Sequence, residues 1–200
     1  MVGQAKLSAV LIEFAHTLVT DLTVQDILDR LVVAMVDILD VTAAGVTLLS
    51  CGAEPHCIAA SSAGARELEQ LQTQLGQSPC LTAHDTGEPV AIPDLSMDDA
   101  FSEFGPATLA AGMAAVFTFP LRHNEVRIGA LDLYRDTPGP LSARDLAAAQ
   151  TLADVAAAYL VDAQSRQDTL DGAQEGIGAG DLDGPVRAPI ATAVAVSADG

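Results

Sequence analysis

Apolar residues recur at helical spacing in two stretches near the amino terminus. From Val24 to Leu39 they return every three or four positions, and Thr23 with Asp26 three residues later supplies an N-terminal cap. The earlier stretch has the same spacing at Leu7, Val10, Leu11, Phe14 and Leu18. The pattern therefore predicts two consecutive amphipathic helices with a break just before Thr23.

Short runs of β-branched and other apolar residues follow, separated by Gly, Pro and polar positions. Strands are predicted at 44–50, 57–61, 90–92, 114–121 and 126–134, and helices at 66–75 and 79–86. Asn124 and Glu125 are the predicted turn of the last hairpin, because Asn tolerates the positive φ that tight hairpin turns require. These runs predict a small antiparallel sheet with helices inserted between its strands.

The register of the last hairpin decides which of its side chains share a face of the sheet. A turn at Asn124 pairs His123 with Val126. If this pairing continues unchanged, alternate residues of both strands point to the same face. One face is then predicted to carry Phe117, Phe119, Leu121, Ile128, Ala130 and Asp132, and the other Val116, Thr118, Leu131 and Leu133.

Two further segments complete the predicted domain. Residues 94–112 have no regular pattern, so they are expected to form an irregular lid that is held down by Phe101, Phe104 and Leu109. A long closing helix is predicted from Ser142 to about Ser165. Residues 166–200 are rich in Gly, Asp and Ala without helical period, which predicts a disordered tail. The expected division is a domain at 1–165 and a tail at 166–200.

The composition limits the functions that the chain can have. Its 200 residues are 50% hydrophobic, enough for one domain core, and its net charge is -18 from 27 acidic and 9 basic side chains. This charge repels nucleic-acid phosphates and anionic membranes, so neither is an expected partner. The sequence also lacks a signal-peptide pattern and has three cysteines, which predicts a cytoplasmic protein with reduced thiols.

Several short motifs resemble those of the GAF domain. They are Ser78-Pro79-Cys80-Leu81, Thr86-Gly87-Glu88-Pro89-Val90, Pro93-Asp94-Leu95, Phe119-Pro120-Leu121 and Ile128-Gly129-Ala130-Leu131-Asp132-Leu133-Tyr134. The resemblance covers about residues 7–165. Within the family, the chain most resembles the sensory GAF domains of actinobacterial regulators that carry an RNA-binding ANTAR module. It implies an α+β fold with a central antiparallel sheet of about six strands, the terminal helices on one face and the lid over the other.

The sequence departs from those regulators after the closing helix. An ANTAR module has three helices and a basic surface, whereas 35 residues with six acidic and two basic side chains follow Ser165. The ANTAR module is therefore expected to be absent, in either a stand-alone sensor or a truncated regulator.

The resemblance also indicates where a ligand would bind. GAF pockets lie between one sheet face and the lid, which places an unidentified small-molecule ligand near Phe101, Phe104, Phe117, Phe119 and Asp132. A carboxylate in the middle of a strand must be hydrogen-bonded or solvated. Asp132 is thus either an acceptor for a ligand donor group or a cap on a backbone N–H of the lid. No ligand or cofactor is identified by the sequence.

We expect a non-catalytic domain that senses a small molecule in signal transduction or transcription control. One alternative is a dimerisation or protein-interaction scaffold whose pocket is filled by its own side chains. The other is a thiol-based methionine sulfoxide reductase, because the free methionine sulfoxide reductases are also GAF proteins. The predicted lid, however, lacks the cysteine that this chemistry requires. The terminal helices are an expected homodimer interface.

Other chemistries have weaker support in the sequence. Cys80 and His84 are four residues apart on a predicted helix, but two residues do not make a zinc site. The acidic lid residues lack the spacing of a calcium loop. The signature of cyclic-nucleotide GAF domains is missing, and the lid has no His or Cys to hold haem or bilin. No catalytic residue and no metal ligand is therefore predicted.

Overall fold

The structure is a computed structural model that describes residues 23–49 and 55–175, with side chains as far as residue 166. In chain order its elements are α1 (Val24–Ile38), β1 (Ala43–Leu48), β2 (His56–Ala60), α2 (Ala63–Leu75), α3 (Pro79–Thr86), β3 (Val90–Ile92), a 3-10 helix (Leu95–Met97), α4 (Phe104–Ala110), β4 (Ala115–His123), β5 (Val126–Arg135) and α5 (Ala143–Glu175). The helix predicted at 7–18 lies outside the described residues, as does most of the predicted tail.

The strands form one antiparallel sheet in the order β2-β1-β5-β4-β3. This confirms the predicted α+β class and the central antiparallel sheet. About six strands were expected, and the described residues form five. Strand β5 lies at the centre of the sheet, between β1 and β4.

Helices α1 and α5 cover one face of the sheet, which we call the helix face. Helix α1 begins with the predicted reciprocal cap, in which Thr23 and Asp26 bond to each other's backbone N–H. Its buried Leu31 and Met35 join Leu152 and Leu160 of α5 in one apolar core with the sheet. Burial of apolar surface is the main force that holds these helices in place.

Helix α5 extends past Ser165, the predicted end of the domain, to Glu175. Residues 166–175 are therefore helical and do not belong to a disordered tail. Within the described residues, the stretch Ala143–Arg166 is long and apolar enough to span a membrane by length and composition alone. Its buried side is already occupied by contacts with the sheet, as in the core helix of a folded domain.

The opposite face, the lid face, is covered by α2, α3 and the segment from 94 to 112. Leu95 and Phe104 of this segment pack against Val116 and Tyr134 of the sheet, which confirms that it lies over that face. The prediction that it is irregular is wrong, because it contains the 3-10 helix and α4. Pro106 does not prevent α4, since a helix tolerates proline in its first turn, where the N–H has no intrahelical acceptor.

The predicted turn of the β4–β5 hairpin is confirmed, but the predicted faces are wrong. Asn124 has φ 54° and His123 pairs with Val126. The register then shifts between Leu121 and Arg122, so that Phe117 stands opposite Leu133 and Phe119 opposite Leu131. One extra residue in a strand moves every later side chain to the other face.

Candidate functional site

A set of buried polar side chains lies between the lid face of the sheet and helices α2 and α3. We call it the polar cluster, and its members are Thr47, Glu69, Gln72, Cys80, Thr118, Asp132 and Tyr134. Each of these residues is at most 1% exposed. Buried polar atoms are destabilising unless they are hydrogen-bonded, so this arrangement needs a partner for nearly every donor and acceptor.

Strand alternation places four members on the lid face. Asp132 and Tyr134 are two residues apart on β5, so they point the same way. Thr118 lies directly opposite Asp132 on β4, and Thr47 extends from the neighbouring strand β1. The sheet therefore presents two hydroxyls, a phenol and a carboxyl to the helices above it.

The helices supply the other three members. Glu69 and Gln72 are three residues apart on α2, so they share the helix face that points to the sheet. Helix α3 starts at an N-cap made by Ser78, with Pro79 in its first turn, and this start brings the backbone of Cys80 over the cluster.

Gly45 makes room for Glu69. It is the cross-strand partner of Asp132, and the Glu69 side chain occupies the space where a Cβ atom of residue 45 would lie. A Cβ atom at this position would be 2.6 Å from Glu69 Cδ, far inside van der Waals contact. Glycine is therefore required at position 45 for Glu69 to reach the sheet.

Hydrogen bonds link most of the cluster into one network. Glu69 accepts from the Thr47 hydroxyl at 2.7 Å and from the Tyr134 hydroxyl at 2.8 Å. Gln72 donates through Nε2 to the Tyr134 oxygen at 2.9 Å, and its Oε1 accepts from the backbone N–H of Cys80 at 2.9 Å. The network thus ties α2 to both the sheet and the start of α3.

Asp132 is less completely bonded. Its Oδ1 accepts from the Thr118 hydroxyl at 2.5 Å, whereas its Oδ2 is buried with no hydrogen-bond partner among the described residues. The predicted cap on a lid N–H is therefore wrong, since the bonded partner is a strand hydroxyl. Glu69, Gln72 and Cys80 lie near enough to this carboxyl group to lower its pKa, so Oδ2 faces polar neighbours although none forms a hydrogen bond of regular geometry with it.

Burial raises the pKa of both carboxyl groups, and the pKa of Glu69 lies well above its ordinary value. The negative charge of Asp132 raises the pKa of Glu69 further, while the Thr118 hydrogen bond lowers that of Asp132. Although no hydrogen bond of regular geometry joins the two groups, their proximity favours one proton held on Glu69. The pair therefore avoids a double negative charge in the core.

The structure separates the residues that were predicted to bind a ligand. Asp132 lies in the polar cluster and Phe104 is buried beside Tyr134, while Phe101 is half-buried at the edge of the lid. Phe117 and Phe119 lie in the helix-face core. The prediction that they share a face with Asp132 is wrong, because the register shift reverses their side of the sheet.

Sequence reasoning missed Glu69, Gln72, Thr47 and Tyr134 as site residues. Polar residues on a surface helix normally face solvent, so the sequence pattern of α2 predicted that its leucines form the buried side. In the structure Leu68 is buried, but so are Glu69 and Gln72, whereas Leu71 is only half-buried. The available signal was Gly45, a glycine inside a strand, which often marks a close approach of another group.

The part of the chain that the structure describes contains no group of three or more His, Cys, Asp or Glu side chains that could hold a metal ion. Cys80 is buried in the cluster, and His84 lies beside Asp85 at 3.2 Å. These two residues therefore do not come together with a third ligand.

Comparison with known proteins gives a family and a set of similar folds. The family model described as GAF domain matches residues 21–161. The GAF domain of a phosphoenolpyruvate-protein phosphotransferase from Coxiella burnetii has a TM-score of 0.67 at 15% identity, over 82% of this chain and 98% of that one. A domain of a two-component sensor histidine kinase from Sinorhizobium meliloti has a TM-score of 0.59 at 18% identity, over 71% and 93%.

The phycocyanobilin-bound GAF domain of a cyanobacterial phytochrome is also similar, with a TM-score of 0.57 at 15% identity over 78% of this chain and 94% of that one. No curated protein matches the chain. At these identities the solved structures support the fold alone, whereas the family model covers most of the sequence. The chain therefore belongs to the GAF domain family, whose members are sensory or regulatory domains of signalling proteins.

Proposed function

We propose that this chain is a non-catalytic regulatory domain whose pocket is filled by its own side chains and which acts through contacts of its surface with another protein. The observation that carries the proposal is the polar cluster. Glu69, Gln72 and Tyr134 occupy the space between the lid face and α2, and none of them is exposed. They form hydrogen bonds with one another, in the place where a bound ligand would form hydrogen bonds with its pocket.

The thiols support a non-catalytic role. Burial is the main cause that raises the pKa of Cys57 to about 12, and burial also raises the pKa of Cys80 well above its ordinary value. The thiolate is the nucleophilic form, so neither residue is activated at neutral pH. We therefore expect no reductase activity toward free methionine sulfoxide when all cysteines are reduced.

A chemical-rescue experiment tests whether the pocket is self-filled. In Glu69→Ala the missing carboxyl leaves a polar void, which small carboxylic acids such as acetate and propionate can enter. We expect these acids to raise the melting temperature of Glu69→Ala with increasing concentration and to leave the wild-type protein unchanged. Dose-dependent stabilisation of the wild-type protein by a metabolite mixture would instead show an open pocket and contradict the proposal.

Small-molecule sensing is a second candidate, and the unpartnered Oδ2 of Asp132 favours it. A ligand with a hydrogen-bond donor would satisfy this oxygen after displacing Gln72 or Glu69. It would act by binding one arrangement of α2 and the lid better than the other. A ligand of this kind should stabilise the wild-type protein and lose most of that effect in Asp132→Ala.

Three finer properties remain predictions. They are a homodimer formed through the terminal helices, a cytoplasmic location, and kinship with the sensory GAF domains of ANTAR regulators. Val33 on α1 is 52% exposed, which leaves an apolar side chain free for a subunit contact. Light scattering at micromolar concentration should give twice the monomer mass, and Val33→Glu should shift the mass toward the monomer.

A further inference from the structure

Two cavities follow one another along the outer side of α2, where this helix meets the lid. The first has a volume of about 460 Å³ and lies between α2 and α4, with Leu68, Leu71, Ala107, Ala111 and Met113 among its lining residues. The second, of about 390 Å³, is a separate cavity at the end of α2, between Leu75 and Phe101. We call the two together the α2 groove. Its floor contains half-buried apolar side chains that belong to the lid-side core.

The rim of the α2 groove is acidic. Glu67 lines the first cavity and Glu103 the second, and neither cavity is lined by Lys or Arg. Between Arg66 and Arg122 the chain has eight acidic side chains and no Lys or Arg, and this part of the chain includes α2 and the lid. In the first cavity apolar side chains lie next to this acidic rim, and such a surface attracts a partner of opposite charge and keeps other partners away.

We propose that the α2 groove binds an amphipathic segment of another protein that carries Lys or Arg beside its apolar side chains. The proposal rests on the interaction function stated above and names the kind of partner. Helix α2 has 13 residues, which is about 20 Å of groove and suits an amphipathic helix of three to four turns. A second copy of this chain does not suit the groove, because each copy carries a net charge of -18.

The chain's own segments outside the described residues are also poor occupants. Residues 1–22 contain one Lys and no Arg, and residues 176–200 contain one Arg and no Lys. Neither of these two segments supplies the cluster of positive charge that the rim favours, so a basic amphipathic segment of another protein suits the α2 groove better than they do.

Fluorescence anisotropy with designed peptides tests the proposal on the full chain. The probe is a fluorescein-labelled helical peptide of Leu and Lys with an apolar stripe, and its control has Glu in place of each Lys. We expect the Leu/Lys peptide to bind with an affinity that falls as salt rises, and the Leu/Glu peptide not to bind. Glu103→Lys and Ala111→Arg are the groove variants.

Glu125→Lys is the matched control, because it makes the same substitution as Glu103→Lys at an exposed position in the β4–β5 turn. We expect each groove variant to weaken binding at least about fivefold more than Glu125→Lys does. Equal weakening by Glu125→Lys, equal binding of the two peptides, or no binding of the Leu/Lys peptide would each overturn the proposal. None of these results changes the outcome of the carboxylic-acid rescue, so a failure of the groove is distinguishable from a failure of the self-filled pocket.

Discussion

Replacing Gly45 by alanine tests the packing that holds the polar cluster. The new methyl group would be 2.6 Å from both Glu69 Cγ and Glu69 Cδ, and it would also overlap Oε1. The strand backbone at this position is paired on both sides, with β2 and with β5, so it resists movement. The Glu69 side chain must therefore leave its place.

The cost follows from the hydrogen bonds that Glu69 makes. When its carboxyl group moves, the Thr47 and Tyr134 hydroxyls lose their acceptor while both remain buried. A buried donor left without an acceptor costs about 1–3 kcal/mol, which gives roughly 2–6 kcal/mol for the pair. For a chain of this size each kcal/mol lowers the melting temperature by about 2–4 °C, so the loss lowers it by about 4–24 °C.

Urea denaturation of four proteins forms the assay: wild type, Gly45→Ala, Glu69→Ala and the double variant. In the Glu69→Ala background the methyl group has space, so we expect its cost to fall to less than about 1 kcal/mol. Gly64→Ala is the control, because the nearest atom to its added methyl is Ser62 Oγ at 4.0 Å and alanine favours a helix. An equal cost of Gly45→Ala in both backgrounds would refute the reasoning.

Three further predictions concern the same core. Because the folded pKa of Glu69 is raised, its stabilising contribution is full below the unfolded carboxyl pKa of about 4.3 and is lost as pH rises through the folded pKa. Glu69→Gln should therefore weaken the fall in wild-type stability above that pH, as measured by urea denaturation across pH. The second prediction uses a variant in which Cys80 is the only cysteine and the others are serine. Because burial raises its pKa, Cys80 should react with a thiol reagent at pH 8 at least about tenfold more slowly in the native state than in urea. Equal rates would contradict its burial. Thr118→Val should lower the free energy of unfolding by about 1–3 kcal/mol, because it removes the hydrogen bond to Asp132. Thr108→Val replaces a buried hydroxyl that has no hydrogen-bond partner among the described residues, so it should be neutral or stabilising. Similar urea midpoints for the two variants would contradict this.

Local signals in the sequence were sufficient for most elements. Helix α3 and strand β3 begin and end where they were predicted, because Pro79 and Gly87 mark the ends of one and Pro93 the end of the other. The apolar spacing of α1 likewise gave its buried side. These features depend on residues that are close in the chain, so the pattern contains the information.

The register shift of the β4–β5 hairpin was not predicted, although the sequence contains a signal for it. Leu121 pairs with Gly129 and Arg122 with Arg127, so the extra residue is Ile128 on β5. It lies next to Gly129, and a glycine inside a strand often marks a bulge. The predicted turn at Asn124 was correct, but the predicted sheet face of Phe117 and Phe119 was wrong. A single unpaired residue was enough to move two of the five predicted ligand-binding residues to the opposite side of the sheet.

The buried side of α2 was missed for a different physical reason. Polar residues enter a core only when partners compensate for the lost water, and the partners of Glu69 lie on β1 and β5, far away in sequence. The site therefore depends on long-range pairing that a local pattern does not contain.

Helix α2 is the element through which the core and the surface can influence each other. Its inner side carries Glu69 and Gln72, which bond to the sheet and to the start of α3, while its outer side carries Leu71 and lines the α2 groove. A partner that shifts this helix must stretch the inner hydrogen bonds. Because such coupling is reciprocal, a change in the core that shifts the helix must alter the affinity of the groove for its partner. Gly45→Ala displaces Glu69 from within, so it should change Leu/Lys peptide binding although position 45 lies beneath the helix and outside the groove. Unchanged affinity in this variant would mean that α2 holds its position without the Glu69 bonds, and that the groove is independent of the core.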